Sequence, residues 1–223
     1  IENTTSVLER RKIKLNIFAI VNSSKVLLNA TGVSKNWEQE LEDNGVVNSS
    51  IEAITAFAKQ HHLENLIAVD NTANADFVSN YIPLVKASFD LVSSNKIANT
   101  ISHSFYTDLR NQLEKNKKTY LYETNVGAGL PLIDTIKLLH ESGENITRIR
   151  GVFSGSLSYL FNKFSAEDVL FSDVLQEAID KGFTEPDPRE DLCGNDVARK
   201  LLILARELDL ENEFEDAVIE NLI

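Results

Sequence analysis

Residues 65–93 read NLIAVDNTANADFVSNYIPLVKASFDLVS. The stretch opens on Asn65-Leu-Ile-Ala-Val-Asp70 and closes on Phe89-Asp-Leu-Val-Ser93, two short runs rich in branched and aromatic residues and stopped by polar turn residues, which is the pattern of buried strands. Between them the spacing predicts a helix from about Asp76 to Ala87, bent or begun late at Pro83. Strand, helix and strand at this separation make a right-handed βαβ unit, and so a parallel sheet with ligands at the carboxyl ends of its strands.

Working outward, Lys14-Leu-Asn-Ile-Phe-Ala-Ile-Val21 predicts another buried strand, stopped by Asn22–Ser23–Ser24 with Lys25 following. Helical spacing covers 37–41 and 51–60, the latter with Ser49 and Ser50 as candidate caps, and residues 1–11 carry a helical hint at Val7–Leu8. Downstream the pattern predicts helices over 102–115, 131–140, 157–164 and 172–181, the last closed by Gly182, and one over about 195–207. Strands are expected at 118–123 and 147–153, and another begins in 214–223. Alternation of this kind is an α/β fold.

Composition bounds the function. The chain has 223 residues, 43% hydrophobic and 25% charged, which is ordinary for a globular protein of one large domain or two small ones. Its 34 acidic residues outnumber 22 basic ones, giving a charge of −12, and no Lys/Arg-rich tract is present, so nucleic acid is excluded as a partner. The single Cys193 rules out an internal disulfide and fits a reducing compartment. No long apolar run or signal-like segment points to membrane or secretion, so the expected location is the cytoplasm. His61, His62, His103 and His140 lack metal-ligand spacing, and Cys193 has no base beside it in sequence.

Three expected strand ends carry polar residues that could line one crevice: Asn22–Lys25, Asp70–Thr72 and Ser93–Lys96. Polar residues follow most strands, so ordinary turns explain them equally well. No G-x-G-x-x-G precedes residue 120. Gly127–Ala128–Gly129 resembles half of that fingerprint, but the third glycine is missing and Pro131 occupies the next helical turn. Those glycines suit a tight turn, or backbone carbonyls that, beside Glu123, would hold a hard cation.

The segment from Thr184 to Lys200, TEPDPREDLCGNDVARK, is the densest in chemistry. Its two prolines stiffen a turn that presents carboxylates, and Asp196 and Lys200 lie four apart on the following helix. Such a pair is ordinarily a solvated surface contact of about 0.2–0.5 kcal/mol. The functional alternative is that Asp196 orients Lys200 for proton transfer while Glu185 and Asp191 hold the amine of a substrate.

The runs ETNVGAGLP (123–131), GVFSGSLSY (151–159) and GFTEPDPREDLCGNDVARKLLILAR (182–206) closely resemble homoserine dehydrogenase, and most of all the dehydrogenase part of bifunctional aspartate kinase/homoserine dehydrogenase. The resemblance covers nearly the whole chain. It implies a Rossmann-type dinucleotide-binding domain over 1–122 and an α+β substrate-binding and dimerisation domain with a mixed sheet over 123–223. The implied reaction is the NAD(P)-dependent interconversion of L-homoserine and L-aspartate 4-semialdehyde by a homodimer or higher homo-oligomer. By position, Lys200 and Lys96 would be catalytic; Glu185, Asp191 and Asp196 would bind the amino-acid substrate; Thr72 would join Lys96 in contacting the cofactor. Glu123, Val126, Ala128 and Leu130 match a monovalent cation site, expected to hold sodium. No acidic residue follows Val21, and Lys25 could meet a 2′-phosphate, which favours NADP.

The resemblance also implies that the first strand and glycine-rich loop lie before Ile1 and the family's last residues beyond Ile223, so this stretch alone should bind NADP poorly and show little activity. Phe183 stands where relatives often have tyrosine. Two other readings stay open: a non-catalytic dimerisation or regulatory module of the same fold, and a nicotinamide enzyme for another amino or hydroxy acid.

Overall fold

The computed structural model describes residues 5–47, 50–184 and 187–223. The chain divides into two units, one formed by Ile1–Ile67 with Pro83–Asp90 and the other by Ala68–Ile82 with Leu91–Ile223.

In the first unit α1 (Thr5–Arg10) precedes an antiparallel sheet of β1 (Ala19–Val21), β2 (Lys25–Leu28) and β3 (Val46–Val47), with α2 (Trp37–Asn44) between the last two strands. The register sets Ala19 opposite Leu28 and Val21 opposite Val26. This departs from the expectation of one long parallel strand over 14–21. Only three of its residues join the sheet, and Asn22–Ser24 is a hairpin turn rather than a strand end in a parallel sheet. The cause is local: the Asn22 side-chain oxygen accepts the N–H of Ser24 at 2.9 Å and of Lys25 at 2.8 Å, turning the chain straight back. α3 (Ile51–Gln60) is capped by Ser50, whose hydroxyl accepts the Ala53 N–H at 3.2 Å; Ser49 lies outside the described residues. Its buried Ile51, Ile54 and Ala58 supply core, and the Phe57 ring stacks on Phe18 at 6.4 Å.

The second unit is built on the sheet order β4 (Ile67–Asp70), β5 (Asp90–Ser93), β6 (Tyr120–Leu121). β5 and β6 run parallel, as expected. Asp90 N donates to Leu66 O at 2.8 Å and Ser94 N to Asp70 O at 3.0 Å, so the β4 and β5 partners also advance together. β4 is less covered than its apolar run suggests: Asp70 is buried while Ile67 and Val69 are exposed, because alternate side chains face opposite sides of a strand. The expected helix over 76–87 is two helices, α4 (Ala75–Val78) and α5 (Tyr81–Lys86). The break falls at Ser79–Asn80, one turn before Pro83, which has no N–H to offer the Ser79 carbonyl and whose ring crowds it.

α6 (Ile97–Thr100) and α7 (His103–Asn116) lead into β6, followed by α8 (Leu132–Glu141), α9 (Gly155–Ala166), α10 (Phe171–Asp180), α11 (Arg189–Leu192) and α12 (Asn195–Arg206). Residues 147–153 and 217–223, read as strand, are irregular, and 214–216 form a 3₁₀ turn. Among the described residues no strand pairs with 147–153; Ile149 and Phe153 instead pack on the core of Val126, Ile133, Ile136, Ile203 and Leu204. A second cluster joins Leu160, Val174, Ala178 and Leu192 across α9, α10 and α11. Each of the Val, Leu and Ile side chains among them contributes about 1.5–3 kcal/mol on burial. Gly182 closes α10 in a left-handed conformation at φ 68°, as its position predicts. Among the described residues no helix is long and apolar enough to cross a membrane.

The ends of β4 and β5 are joined by a buried polar network. The Tyr81 hydroxyl donates to Asp70 Oδ2 at 2.7 Å and also lies 2.7 Å from Ser93 Oγ, and Asn95 Nδ2 donates to Asp70 Oδ2 at 3.1 Å. Burial pushes the Tyr81 phenol far above its ordinary value, so it remains a neutral donor. Tyr81→Phe leaves buried oxygens short of a donor and is expected to cost about 1–3 kcal/mol, read as a lower urea midpoint at unchanged slope; an unaltered midpoint refutes the network's role.

Candidate functional site

Two lysines from different elements converge on one carboxylate. Asp196 and Lys200 belong to α12, whose first turn begins after Gly194 at φ 75°. Lys96 stands immediately before α6, at the end of β5. Lys200 Nζ lies 2.6 Å from Asp196 Oδ2 and Lys96 Nζ lies 3.3 Å from Asp196 Oδ1. Lys200 also donates to the backbone oxygen of Phe153 at 2.6 Å. Its side chain is only 17% exposed, against 29% for Lys96 and 33% for Asp196. The i,i+4 pair is therefore not a solvated surface contact. Burial alone would raise the Asp196 carboxyl, but the hydrogen bond from Lys200 and the charge of Lys96 outweigh it and hold the group below its ordinary 3.8.

The loop before α9 meets this cluster at Phe153, and the first turn of α9 meets α11. Phe153 supplies the carbonyl under Lys200, and three residues on Ser156 donates its hydroxyl to Asp191 Oδ1 at 2.6 Å. Ser154 caps α9 by accepting the Leu157 N–H at 3.1 Å, and its hydroxyl is 3.1 Å from that of Ser156. Asp191, on α11, is thus a half-buried carboxylate held by a hydroxyl. Glu185 lies outside the described residues. Phe153 and Ser156 are the members that reasoning on residue types missed. Their only signal was the run GVFSGSLSY, since a backbone carbonyl leaves no trace in side-chain chemistry.

Thr72 follows β4 with its side chain exposed; its N–H bonds Asp70 Oδ1 at 2.8 Å and its hydroxyl accepts the Asn74 N–H at 3.2 Å. Asp70 itself, read as facing a crevice, is 4% exposed and committed to the network between the strand ends. Lys25, in the first unit, bonds the Glu42 carbonyl oxygen at 2.5 Å and its carboxylate at 3.4 Å.

Glu123 has a use that the sequence did not disclose. Its two carboxylate oxygens accept the N–H groups of Ile133 at 2.8 Å and Asp134 at 3.0 Å, placing a negative charge at the start of α8. The side chain is thereby engaged in capping, while the Glu123 backbone carbonyl accepts the Val126 N–H at 3.4 Å and that of Leu130 accepts the Leu132 N–H at 2.8 Å, each keeping a second lone pair. Gly127 and Ala128 follow one another with φ of 83° and 54°, a left-handed turn that bends the Val126–Leu130 loop sharply. Among the described residues no cluster of His, Cys, Asp and Glu side chains could hold a metal.

The cluster can orient a small hydroxy compound and move a proton. Lys200 offers an amine, Asp196 and Phe153 fix its direction, and Asp191 with Ser156 offers a polar partner for a cationic group.

Comparison with known proteins places these residues in a family context. A family model described as homoserine dehydrogenase matches residues 131–223, and one described as the homoserine dehydrogenase NAD binding domain matches residues 2–123. The bifunctional aspartokinase/homoserine dehydrogenase of Haemophilus influenzae is 40% identical over 217 residues, which cover 97% of this chain and 26% of that protein. The chain therefore spans about a quarter of that curated relative. A solved structure of a Candida auris protein of unknown function is 30% identical at a TM-score of 0.82, covering 94% of this chain and 60% of that one. A hyperthermophilic archaeal homoserine dehydrogenase in complex with NADPH has a TM-score of 0.70 at 24% identity, covering 91% and 64%, and shares the fold.

Because the Asp196 carboxyl titrates below its ordinary value when folded, its ion pairs stabilise the protein above the ordinary carboxylate range, and that stability is lost as pH falls through the folded value. Urea midpoints of Asp196→Asn should therefore fall less than those of the parent between about pH 6 and about pH 2. Parallel curves would disprove the pairing.

Proposed function

The chain belongs to the homoserine dehydrogenase family, and we propose that it interconverts L-homoserine and L-aspartate 4-semialdehyde with a nicotinamide cofactor, on the path to threonine and methionine. The observation that carries the reading is the convergence of Lys96 and Lys200 on Asp196 within residues that match the family. Residues 1–122 are assigned to dinucleotide binding and 123–223 to substrate binding and dimerisation, with a second copy of the chain as partner. The lone Cys193 supports a reducing, cytoplasmic setting.

The residues near the cofactor's expected place fit its chemistry at the nicotinamide end: Thr72 is exposed beyond β4, and the partly exposed Lys96 amine stands beyond β5. When bound, that cofactor accepts or returns a hydride. Lys200, as the neutral amine once it has given a proton to solvent, takes the proton from the substrate hydroxyl in oxidation, and as the ammonium gives it back in reduction, directly or through one water. Asp196 keeps the amine of Lys200 aimed and bears the charge that Lys96 adds. Asp191 and Glu185 bind the substrate ammonium, Asp191 already polarised by the Ser156 hydroxyl. For NADP, a 2′-phosphate would draw Lys25 away from Glu42, whose side chain is 76% exposed and screened by water.

The backbone carbonyls of Glu123, Val126, Ala128 and Leu130 are proposed to hold a sodium ion. The left-handed turn at Gly127–Ala128 and the carboxylate fixed on α8 support this, because a rigid loop loses little entropy on binding an ion. Replacing sodium chloride by the chloride of a large organic cation at equal ionic strength should then lower the midpoint of thermal unfolding. Identical midpoints would dismiss the ion.

In the full-length protein, Lys200→Ala is expected to lower kcat for homoserine oxidation about 10²–10⁴-fold while the affinity for NADPH, followed by the change in its fluorescence on binding, stays within a few-fold. Retention of full activity would sink the assignment of Lys200, and absence of homoserine oxidation by the parent protein would sink the function.

A further inference from the structure

The other ends of α6 and α12 also meet, at Arg206. This last residue of α12 is 2% exposed. All three of its guanidinium nitrogens are used: Nη1 donates to the backbone oxygens of Asn99 at 2.9 Å and Ile101 at 2.7 Å, Nη2 to Asn212 O and Glu213 Oε2, both at 3.0 Å, and Nε to Asn212 O at 3.3 Å. Glu213 is held in turn, since its Oε1 accepts the His103 N–H at 2.8 Å.

α6 is a single turn, too short to be stable alone, and its last carbonyls have no partner within the helix. Arg206 satisfies them with a cation at the end of the helix where the dipole favours one. α6 therefore touches α12 at two points: Lys96 on Asp196 at the start of both helices, and the Asn99 and Ile101 carbonyls on Arg206 at the end of both. Along α12 the two anchors are separated by about 15 Å at the helical rise per residue. Asn99 secures the turn from the sheet side as well. It is fully buried, its amide donates to Asn125 Oδ1 at 2.9 Å, and its side-chain oxygen accepts from Arg110 at 2.9 Å.

We infer that Arg206 is a positioning residue for the reaction: it pins the far end of α6 to the far end of α12, and so sets where the Lys96 amine stands relative to Asp196 and Lys200. The inference rests on the dehydrogenase reading of that cluster. Arg206 touches none of the groups assigned to the substrate or cofactor; its influence runs through α6. A displacement of about 1 Å at a reacting centre can cost as much as about 10²-fold in rate. Lysine cannot replace the fork, because one nitrogen cannot reach two carbonyls on one side and a carbonyl and carboxylate on the other.

The test is a double-mutant cycle in the full-length protein, with Lys96→Met as the second site. Arg206→Gln is expected to lower kcat for homoserine oxidation about ten-fold or more, with the KM for homoserine within about three-fold of the parent, because Asp191 and Ser156 are held independently. In the Lys96→Met background the same substitution should change kcat less than about two-fold. Arg206→Lys should recover only part of the loss. A merely structural arginine would lower the unfolding temperature and cost the same factor in both backgrounds; that result, or an unchanged kcat, overturns the inference. If Arg206→Gln does not fold, Glu213→Gln takes its place in the cycle, since Glu213 is 43% exposed and anchors Arg206 from the rim; its kcat loss must likewise vanish in the Lys96→Met background, and additivity overturns the inference. Homoserine oxidation by the parent protein separates the two claims: without it the functional reading itself falls, and with it the cycle judges Arg206 alone.

Discussion

One carboxylate answers two ammonium groups in this structure, and the arrangement of the second unit follows from that constraint. Asp196 sits in the first turn of α12, Lys200 one turn on, and Lys96 reaches it from the residue just before α6. Two like charges brought to one half-buried site repel, so Asp196 has to remain ionised to hold them. Its depressed titration is the consequence. An ion pair of this kind between solvated groups would contribute about 0.2–1 kcal/mol and hold nothing in place. Partial burial and the Phe153 carbonyl turn it into a fixed geometry.

That geometry is supported by buried polar groups rather than by the apolar core alone. Asp70, Ser93 and Asn95, tied by Tyr81, join the ends of β4 and β5, and Asn99 and Asn125 carry the connection to the loop before α8. Each of these is satisfied, which is the condition under which a buried polar network specifies one arrangement instead of weakening the fold. Arg110 adds a cation above the rings of Tyr106, Tyr120 and Tyr122, with its guanidinium carbon 3.9, 5.4 and 5.1 Å from their centres; its Nη1 is buried without a hydrogen-bond partner.

Much of the fold was legible because it depends on local chemistry. The β5–β6 parallel pair, the helix after Ser50 and the left-handed close of α10 at Gly182 follow from periodicity and capping residues. The hairpin at Asn22 was missed because an apolar run does not say which strand it will pair with, and the Asx turn that decided it looks like an ordinary polar stop. Residues 147–153 have strand composition, yet strand structure requires an edge to bond to, and that is settled elsewhere in the chain. Pro83 predicted a disturbed helix but not that the break would fall a turn earlier, where the carbonyl it deprives lies.

The candidate site divides in the same way. By itself the sequence determined that Asp196 and Lys200 share one face of α12, that the chain is acidic, and that its longest motifs resemble one enzyme family, because helical spacing, net charge and motif identity are read along the chain without knowing what meets in space. Only the tertiary structure decided that Lys96 joins the Asp196–Lys200 pair, that Glu123 caps α8, that Phe153 contributes a carbonyl, and that Arg206 ties α6 to α12. Each of those contacts joins residues ten to more than a hundred positions apart through a backbone atom or a long flexible side chain. Every residue carries the same backbone groups, so which of them meets a side chain is fixed by packing rather than by residue type.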